Sequence, residues 1–310
     1  MKNITDGVSV VIPVFNSGRT LPKLVKQISL ILPELHENFE LVLVNDGSQD
    51  NSWHIIEATC EKYGWVRGIC LMCNYGQHNA TLAGIRSVKY NVTITLDDDL
   101  QHAPNQIQKL INKLSDGFDV IYGTPKAEPH GVFRGIASRI LKISLRHALG
   151  AEAARNVSAF RVFRTELREG FKDFNSTFVS VDVLLSWSTK HFGSVKVPHL
   201  KRGNGKSNYS LFQLLQHALT LITGYSVFPL QLASFLGFLI TGFGFVVLFY
   251  VSVNFFLNEN SVPGFPFLAS IIAIFSGAQM FSLGIIGEYL ARMHFRLMNK
   301  PVYFISKKIR

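Results

Sequence analysis

The sequence predicts an α/β domain, a mostly parallel sheet flanked by helices, followed by interfacial helical segments and a two-helix transmembrane hairpin. Three observations predict it. Short β-like apolar runs alternate with segments of helical period from Val8 to Gly123. Polar clusters close those runs, at the strand ends where parallel sheets bind ligands. From Ser207 to Gly287 the chain carries one formal charge, Glu259.

Taken in order, Val8 to Val14 is an apolar run closed by Phe15-Asn16-Ser17-Gly18, a strand and its loop. Leu21, Leu24, Val25, Ile28 and Leu32 then share one helical face. A second strand, Phe39 to Val44, ends at Asn45-Asp46-Gly47-Ser48, and Ser52 to Tyr63 reads as helix. Val66 to Met72 is a strand, with Asn74-Tyr75-Gly76 after it and a helix from Gln77 to Lys89. Val92 to Leu96 is a strand running into Asp97-Asp98-Asp99, Pro104 to Leu114 is helical, and Val120 to Gly123 is the next strand.

Val227 to Phe256 and Phe267 to Ile286 are almost continuously apolar, and each exceeds the ~20 residues that cross a hydrocarbon core. The break between them, Leu257 to Gly264, is short and turn-forming. It holds no Lys or Arg, whereas Arg292, Arg296, Lys300, Lys307, Lys308 and Arg310 follow the second run. The positive-inside rule then puts both termini in the cytoplasm. Met1 to Phe15 has a polar start and a short β-like run, so no secretory leader is expected there. Leu211, Phe212, Leu214, Leu215, Leu219 and Ile222 recur at helical spacing, as an interfacial helix or one packed on the soluble domain. The tail, with Tyr289, Phe295, Tyr303 and Phe304 among its basic residues, reads as a second interfacial segment. The expected division is a cytoplasmic domain over 1–206, a juxtamembrane helix over 207–226, spans over 227–256 and 267–287, an extracytoplasmic loop over 257–266 and a basic tail over 288–310.

The 310 residues are 47% hydrophobic and 17% charged, which excludes a disordered chain. The net charge of +10 is unevenly placed. Residues 1–125 carry 10 basic and 13 acidic side chains, residues 126–206 carry 15 and 6, and residues 207–310 carry 6 and 2. A basic segment between an acidic cluster and a membrane hairpin suits pyrophosphate and anionic lipid better than nucleic acid. Cys60, Cys70 and Cys73 are too few for a disulfide framework; Cys70 and Cys73 have zinc-like spacing without a second pair and read as buried strand cysteines.

No G-x-G-x-x-G follows the first strand, which removes the dinucleotide-binding reading. Gly203-Asn204-Gly205-Lys206-Ser207 echoes the end of a phosphate loop, but Leu200 stands where its first glycine belongs. Asp97-Asp98-Asp99 repel one another unless a cation sits among them. In an extended chain Asp97 and Asp99 point the same way and share a ligand while Asp98 points elsewhere. Hard oxygens suit Mg²⁺ or Mn²⁺ shared with phosphates. The competing reading is acidic residues at a helix N-terminus; Asp46 at another strand end favours the metal.

These residues resemble an inverting family 2 glycosyltransferase of the GT-A fold, with its Rossmann-like sheet, in the polyprenyl-phosphate branch that includes dolichol-phosphate mannose synthase and bacterial bactoprenol glucosyltransferases. Val10 to Asn16 and Leu43 to Asp50 match the nucleotide-binding strand ends, and Asn74 to Ala80 the next loop, where many relatives have Lys in place of Gln77. Asp97 to Pro104 matches D-x-D-x-Q, and Arg202 to Tyr209 a juxtamembrane phosphate motif. The resemblance covers nearly the whole chain.

It implies a hexosyltransferase in the bacterial cytoplasmic membrane. Such an enzyme transfers sugar from a nucleotide-diphosphate donor to polyprenyl phosphate, giving a lipid-linked monosaccharide for cell-surface glycans. Pro13, Phe15, Asn16, Asp46, Gly76, Asp97 and Asp98 would hold the nucleotide sugar. Asp97, Asp99 and Gln101 would hold Mg²⁺ or Mn²⁺, with Asp99 catalytic. Arg134, Ser138, Arg139, Arg202, Lys206, Ser207 and Tyr209 would bind the acceptor phosphate. The resemblance also implies self-association as a tetramer. Where many relatives carry an Asp considered as base, this chain has Asn156-Val157-Ser158, and Asp182 is the substitute candidate. A processive polysaccharide synthase lacks its Q-x-x-R-W motif here, since Leu185-Ser186-Trp187 supplies only the Trp. A catalytically silent nucleotide- or lipid-binding scaffold is the reading from a different class.

Overall fold

The computed structural model describes residues 6–125, 156–176, 179–198, 228–258, 264–298 and 300–310. Alternation of strand and helix builds its first half: β1 (Val8–Val14), α1 (Leu21–Leu35), β2 (Phe39–Asn45), α2 (Ser52–Lys62), β3 (Val66–Leu71), α3 (Gln77–Ser87), β4 (Val92–Thr95), α4 (Ile107–Leu114) and β5 (Val120–Pro125). Every residue of β1 is buried, as a continuous apolar run in a sheet covered on both faces requires. The face of α1 anticipated from spacing, Leu21, Leu24, Val25, Ile28 and Leu32, is the face it buries. Pro104 opens a 3-10 turn ahead of α4.

Beyond Gly123 come β6 (Arg161–Arg164), α5 (Val181–Ser188), β7 (Phe192–Val197) and β8 (Ile305–Ile309). The eight strands form one sheet in the order β7-β5-β6-β4-β1-β2-β3-β8. The pairs β1/β2, β1/β4, β2/β3 and β5/β7 are parallel. Strand β6 runs antiparallel between β4 and β5, and β8 antiparallel along β3. The sheet is therefore mixed and mostly parallel.

The end of the tail is part of this sheet, which corrects its reading as an interfacial segment. Val302 is buried, Met72 N–H donates to Phe304 O at 2.9 Å, and Tyr303 lies under the Arg86 guanidinium at 5.9 Å. Strand β8 covers the otherwise open edge of β3 and presents Ser306, Lys307 and Lys308 outward, charges that blunt a sheet edge. The cysteines also differ from expectation: Cys60 on α2 is buried, Cys70 is half-buried in β3 and Cys73 is exposed beyond it.

Helix α3 packs so closely on β1 that Gly84 has no room for a methyl group. A Cβ there would overlap Val11 Cγ1 and stand 3.1 Å from Val44 Cγ2. Gly84→Ala is expected to cost about 1–3 kcal/mol through this overpacking, read as a lower midpoint in thermal unfolding.

Residues 216–298 form a separate unit. It contains α6 (Phe228–Asn258) and α7 (Phe265–Leu297). Among the described residues one segment, Leu230–Val247 in α6, is long and apolar enough to cross a membrane, with mean hydropathy 1.9. Only 6% of that window is buried within the protein, and Phe235, Phe238, Phe243, Phe245 and Phe249 are exposed. The core helix of a soluble protein would hide these side chains. Helix α7 runs ten residues past the expected boundary at 287, and Arg292 reaches back one turn to Glu288. The juxtamembrane segment over 207–226 lies outside the described residues.

Candidate active site

The ends of β1, β2 and β4 converge where the strand order reverses, β2 and β3 continuing on one side of β1 and β4 lying on its other side, the position at which open α/β sheets bind ligands. A cavity of about 340 Å³ opens there. Pro13, Val14 and Phe15 of β1 and its loop form one wall, and Asp46 after β2 forms a second. Asn74, Gly76 and Gln77 come from the loop before α3, and Asp97, Asp98 and Asp99 from the loop after β4.

The loops are cross-tied by hydrogen bonds that their sequences supply. Asn16 takes φ 53, a left-handed conformation Asn tolerates, and its N–H donates to Ser48 Oγ at 3.0 Å. Gln49 N–H returns a bond to Asn16 Oδ1 at 2.8 Å. Gly47 has φ +65, and a Cβ there would stand 2.5 Å from Asn74 N, so glycine is required on both counts. That close approach lets the Asp46 carboxylate accept the N–H groups of Tyr75 at 2.8 Å and Gly76 at 2.9 Å.

Burial pushes the Asp46 carboxyl above its ordinary value, while the two N–H groups pull it down. A raised folded-state value means that its buried charge opposes folding at neutral pH. That penalty fades as pH falls through the raised value toward the unfolded chain's 3.8. The charge is held at a cost in stability, a pattern common at functional sites.

The acidic triplet is not extended. The chain leaves β4 at Thr95 and turns at Asp98 and Asp99, with Leu100 at φ 61. A turn replaces strand alternation as the device that separates the carboxylates. Asp98 Oδ2 accepts Phe15 N–H at 3.0 Å, which ties the triplet to β1. Burial raises the Asp98 carboxyl, the Ser17 hydroxyl and Phe15 N–H lower it, and neighbouring Asp99 raises it again. Asp99 Oδ1 accepts Gln101 N–H at 3.0 Å, and Asp97 Oδ1 accepts the Gln77 side-chain amide. Gln101 meets Asp99 through its backbone and is not among the residues lining the cavity.

Four carboxylates thus face one cavity, and its described lining has no Lys, Arg or His. Among the described residues no group of three or more His, Cys, Asp or Glu side chains forms a metal cage by itself. The oxygen set fits a hard cation that takes one or two carboxylates and completes its shell with phosphate oxygens and water, as Mg²⁺ does.

Asp182 does not belong to this cavity. It is 4% exposed, paired with Arg161 and hydrogen-bonded by Tyr122 Oη at 3.0 Å. Arg161 Nε continues to Thr95 Oγ1 at 2.9 Å, and Thr95 Oγ1 donates to Ala159 O at 2.6 Å. This corrects the reading of Asp182 as a base: its carboxylate is committed to a buried network that fixes the end of β4. His78 lies beside it, its Nδ1 accepting Val181 N–H at 3.4 Å, and burial lowers its pKa.

Asn74 and Gln77 were missed as lining residues. The signal was present in the polar cluster after the third strand, Asn74-Tyr75-Gly76, with Gln77 next to it. A second cavity of about 510 Å³ shares Phe15 and Asn74 and is lined also by Trp53, Met72, Cys73 and Ser306. Arg134, Ser138, Arg139, Arg202, Lys206, Ser207 and Tyr209 lie outside the described residues.

Comparison with known proteins identifies the pattern. The family model described as Glycosyl transferase family 2 matches residues 9–171. An undecaprenyl-phosphate 4-deoxy-4-formamido-L-arabinose transferase of Pseudomonas aeruginosa (strain LESB58) is 32% identical over 308 residues, covering 98% of this chain and 91% of that protein. The enzyme of the same name from Serratia proteamaculans is 32% identical, covering 97% and 94%. Among solved structures, glucosyl-3-phosphoglycerate synthase from Mycobacterium tuberculosis with phosphoglyceric acid superposes with a TM-score of 0.51 at 18% identity, over 71% of this chain and 78% of that one. Its complex with Mn²⁺ and UDP-glucose gives 0.50 at 15% identity, over 71% and 77%. These structural likenesses establish a GT-A-like fold.

Proposed function

Because the chain belongs to glycosyl transferase family 2, in its polyprenyl-phosphate branch, we propose that it transfers one sugar from a nucleotide-diphosphate donor to the phosphate of undecaprenyl phosphate. The observation that carries this reading is the cavity of four carboxylates at the ends of β1, β2 and β4. The relatives' named sugar, a formamido-arabinose, is a pentose derivative. The hexose expectation therefore gives way to a pentose-type donor.

Asp46 and the Pro13 to Asn16 loop hold the nucleoside in this reading, with the exposed Phe15 ring offering a stacking face. Asp97 and Asp99 would hold Mg²⁺ or Mn²⁺, with Gln101 tied to Asp99 through its backbone N–H. A cation bound there supplies charge neutralisation for the departing diphosphate. An oxygen of the lipid phosphate attacks the anomeric carbon in line, and the bond from that carbon to the diphosphate oxygen breaks with its electron pair. The configuration inverts. Because a phosphate monoester is already anionic at neutral pH, its second pKa being ~6, no strong protein base is needed. That suits a chain with Asn156-Val157-Ser158 where relatives place an Asp.

Arg134, Ser138, Arg139, Arg202, Lys206, Ser207 and Tyr209 bind the acceptor phosphate in this reading. It places α6 and α7 in the bacterial cytoplasmic membrane as a hairpin, with catalytic domain and tail cytoplasmic. Self-association accompanies it.

The test supplies purified protein with undecaprenyl phosphate, Mg²⁺ or Mn²⁺, and a panel of labelled nucleotide pentoses and hexoses. Label should appear in the lipid extract for a pentose-type donor, and only with the lipid present. No labelled lipid across the panel overturns the reading, and a growing polymer favours the processive synthase instead.

A further inference from the structure

We propose that Gln77 is a positioning residue that holds Asp97 in register for the cation while leaving the carboxylate's charge undiminished. The inference rests on the reading of the cavity as the seat of a cation shared with a diphosphate. Gln77 lines that cavity and donates its side-chain N–H to Asp97 Oδ1.

Its own placement is fixed from three sides. Gly76 just before it, at φ 93, is bound through its N–H to Asp46 Oδ2 at 2.9 Å. The Gln77 carbonyl accepts Thr81 Oγ1 at 2.8 Å within α3. His78 just after it is bound by Val181 N–H at 3.4 Å. The amide thus extends from an anchored helix start, and its bond to Asp97 spans from that helix to the loop after β4.

The choice of an amide has an electrostatic consequence. A neutral N–H orients a carboxylate without cancelling its charge, whereas an ammonium group would do both. With Gln77 the described lining of the cavity holds four carboxylates, and the amide adds no charge of its own beside them. Lys at position 77 would supply a competing positive charge beside Asp97.

The test titrates Mn²⁺ by its electron paramagnetic resonance signal against the purified full-length protein in the presence of inorganic pyrophosphate. Groups that orient a metal's ligands typically change affinity by about 10–100-fold when removed. Gln77→Met, which keeps length and volume but has no N–H, should weaken Mn²⁺ binding by an amount in that range while leaving the thermal midpoint in place. Gln77→Lys should also weaken Mn²⁺ binding but should strengthen pyrophosphate binding measured calorimetrically without metal. Wild-type affinity in Gln77→Met, or metal-free pyrophosphate binding unchanged in Gln77→Lys, overturns the role of Gln77 and leaves the proposed function standing. If the wild-type protein binds no Mn²⁺ with pyrophosphate, the reading of the cavity itself falls, and this inference with it.

Discussion

Asp99→Ala should lower kcat/KM for lipid-linked sugar formation by about 10²–10³-fold, the range typical of losing one preorganised electrostatic contact. Asp99 lines the cavity together with Asp97 and Asp98. The competing explanation for an acid at this position is local, because Asp99 Oδ1 accepts Gln101 N–H in a turn. Asp99→Asn separates the two. Its amide oxygen still accepts that N–H, but it contributes no charge to a cation. Loss of activity in both variants, with unchanged thermal unfolding, assigns the effect to charge. Activity retained in Asp99→Asn would make the residue a turn former.

Asp182→Ala is expected to act on stability rather than on chemistry. Removing it leaves the Arg161 guanidinium, 2% exposed, without its carboxylate partner. Breaking a buried pair from one side typically costs 3–5 kcal/mol, here on the order of 10 °C in thermal midpoint for a domain of this size. Arg161 keeps its bond to Thr95 Oγ1 at 2.9 Å, which does not replace the lost charge. Replacing both partners, Asp182→Leu with Arg161→Met, should recover much of the loss, since apolar substitutes for buried pairs are often neutral or stabilising. A general base would behave in the opposite way, with kcat reduced about 10²–10⁴-fold at an unchanged midpoint. Thermal unfolding and steady-state kinetics on the same preparations decide it.

The contrast between these two aspartates shows where the sequence is readable. Asp99 follows a buried run, and strands β1 to β4 are each mostly buried before giving way to a polar cluster. The site lies at those ends, so its acidic half is visible in local pattern. Asp182 has no such context. Its partner Arg161 opens β6, a strand that begins and ends with Arg and reads locally as a charged loop. Contacts distant in sequence, with Asp182 and Thr95, make Arg161 a core residue. Strand β7 mixes Gly, Ser and Lys with its apolar residues and is largely half-buried, so its pattern is weak. Strand β8 is five residues long with two adjacent lysines, and its place depends on the free edge of β3 far away in sequence. Gln77 is the intermediate case: its loop was legible, but its amide's reach to Asp97 depends on how the turn after β4 folds.

The most direct test of the central claim is the identity of the nucleotide released when lipid product forms. Attack of the lipid phosphate on the anomeric carbon breaks the sugar–oxygen bond, so the whole diphosphate leaves with the nucleoside. Chromatography of the reaction with undecaprenyl phosphate should show nucleoside diphosphate in a one-to-one ratio with a lipid carrying a single phosphate and a single sugar. Release of nucleoside monophosphate with a lipid diphosphate sugar would place the attack on phosphorus and contradict the account.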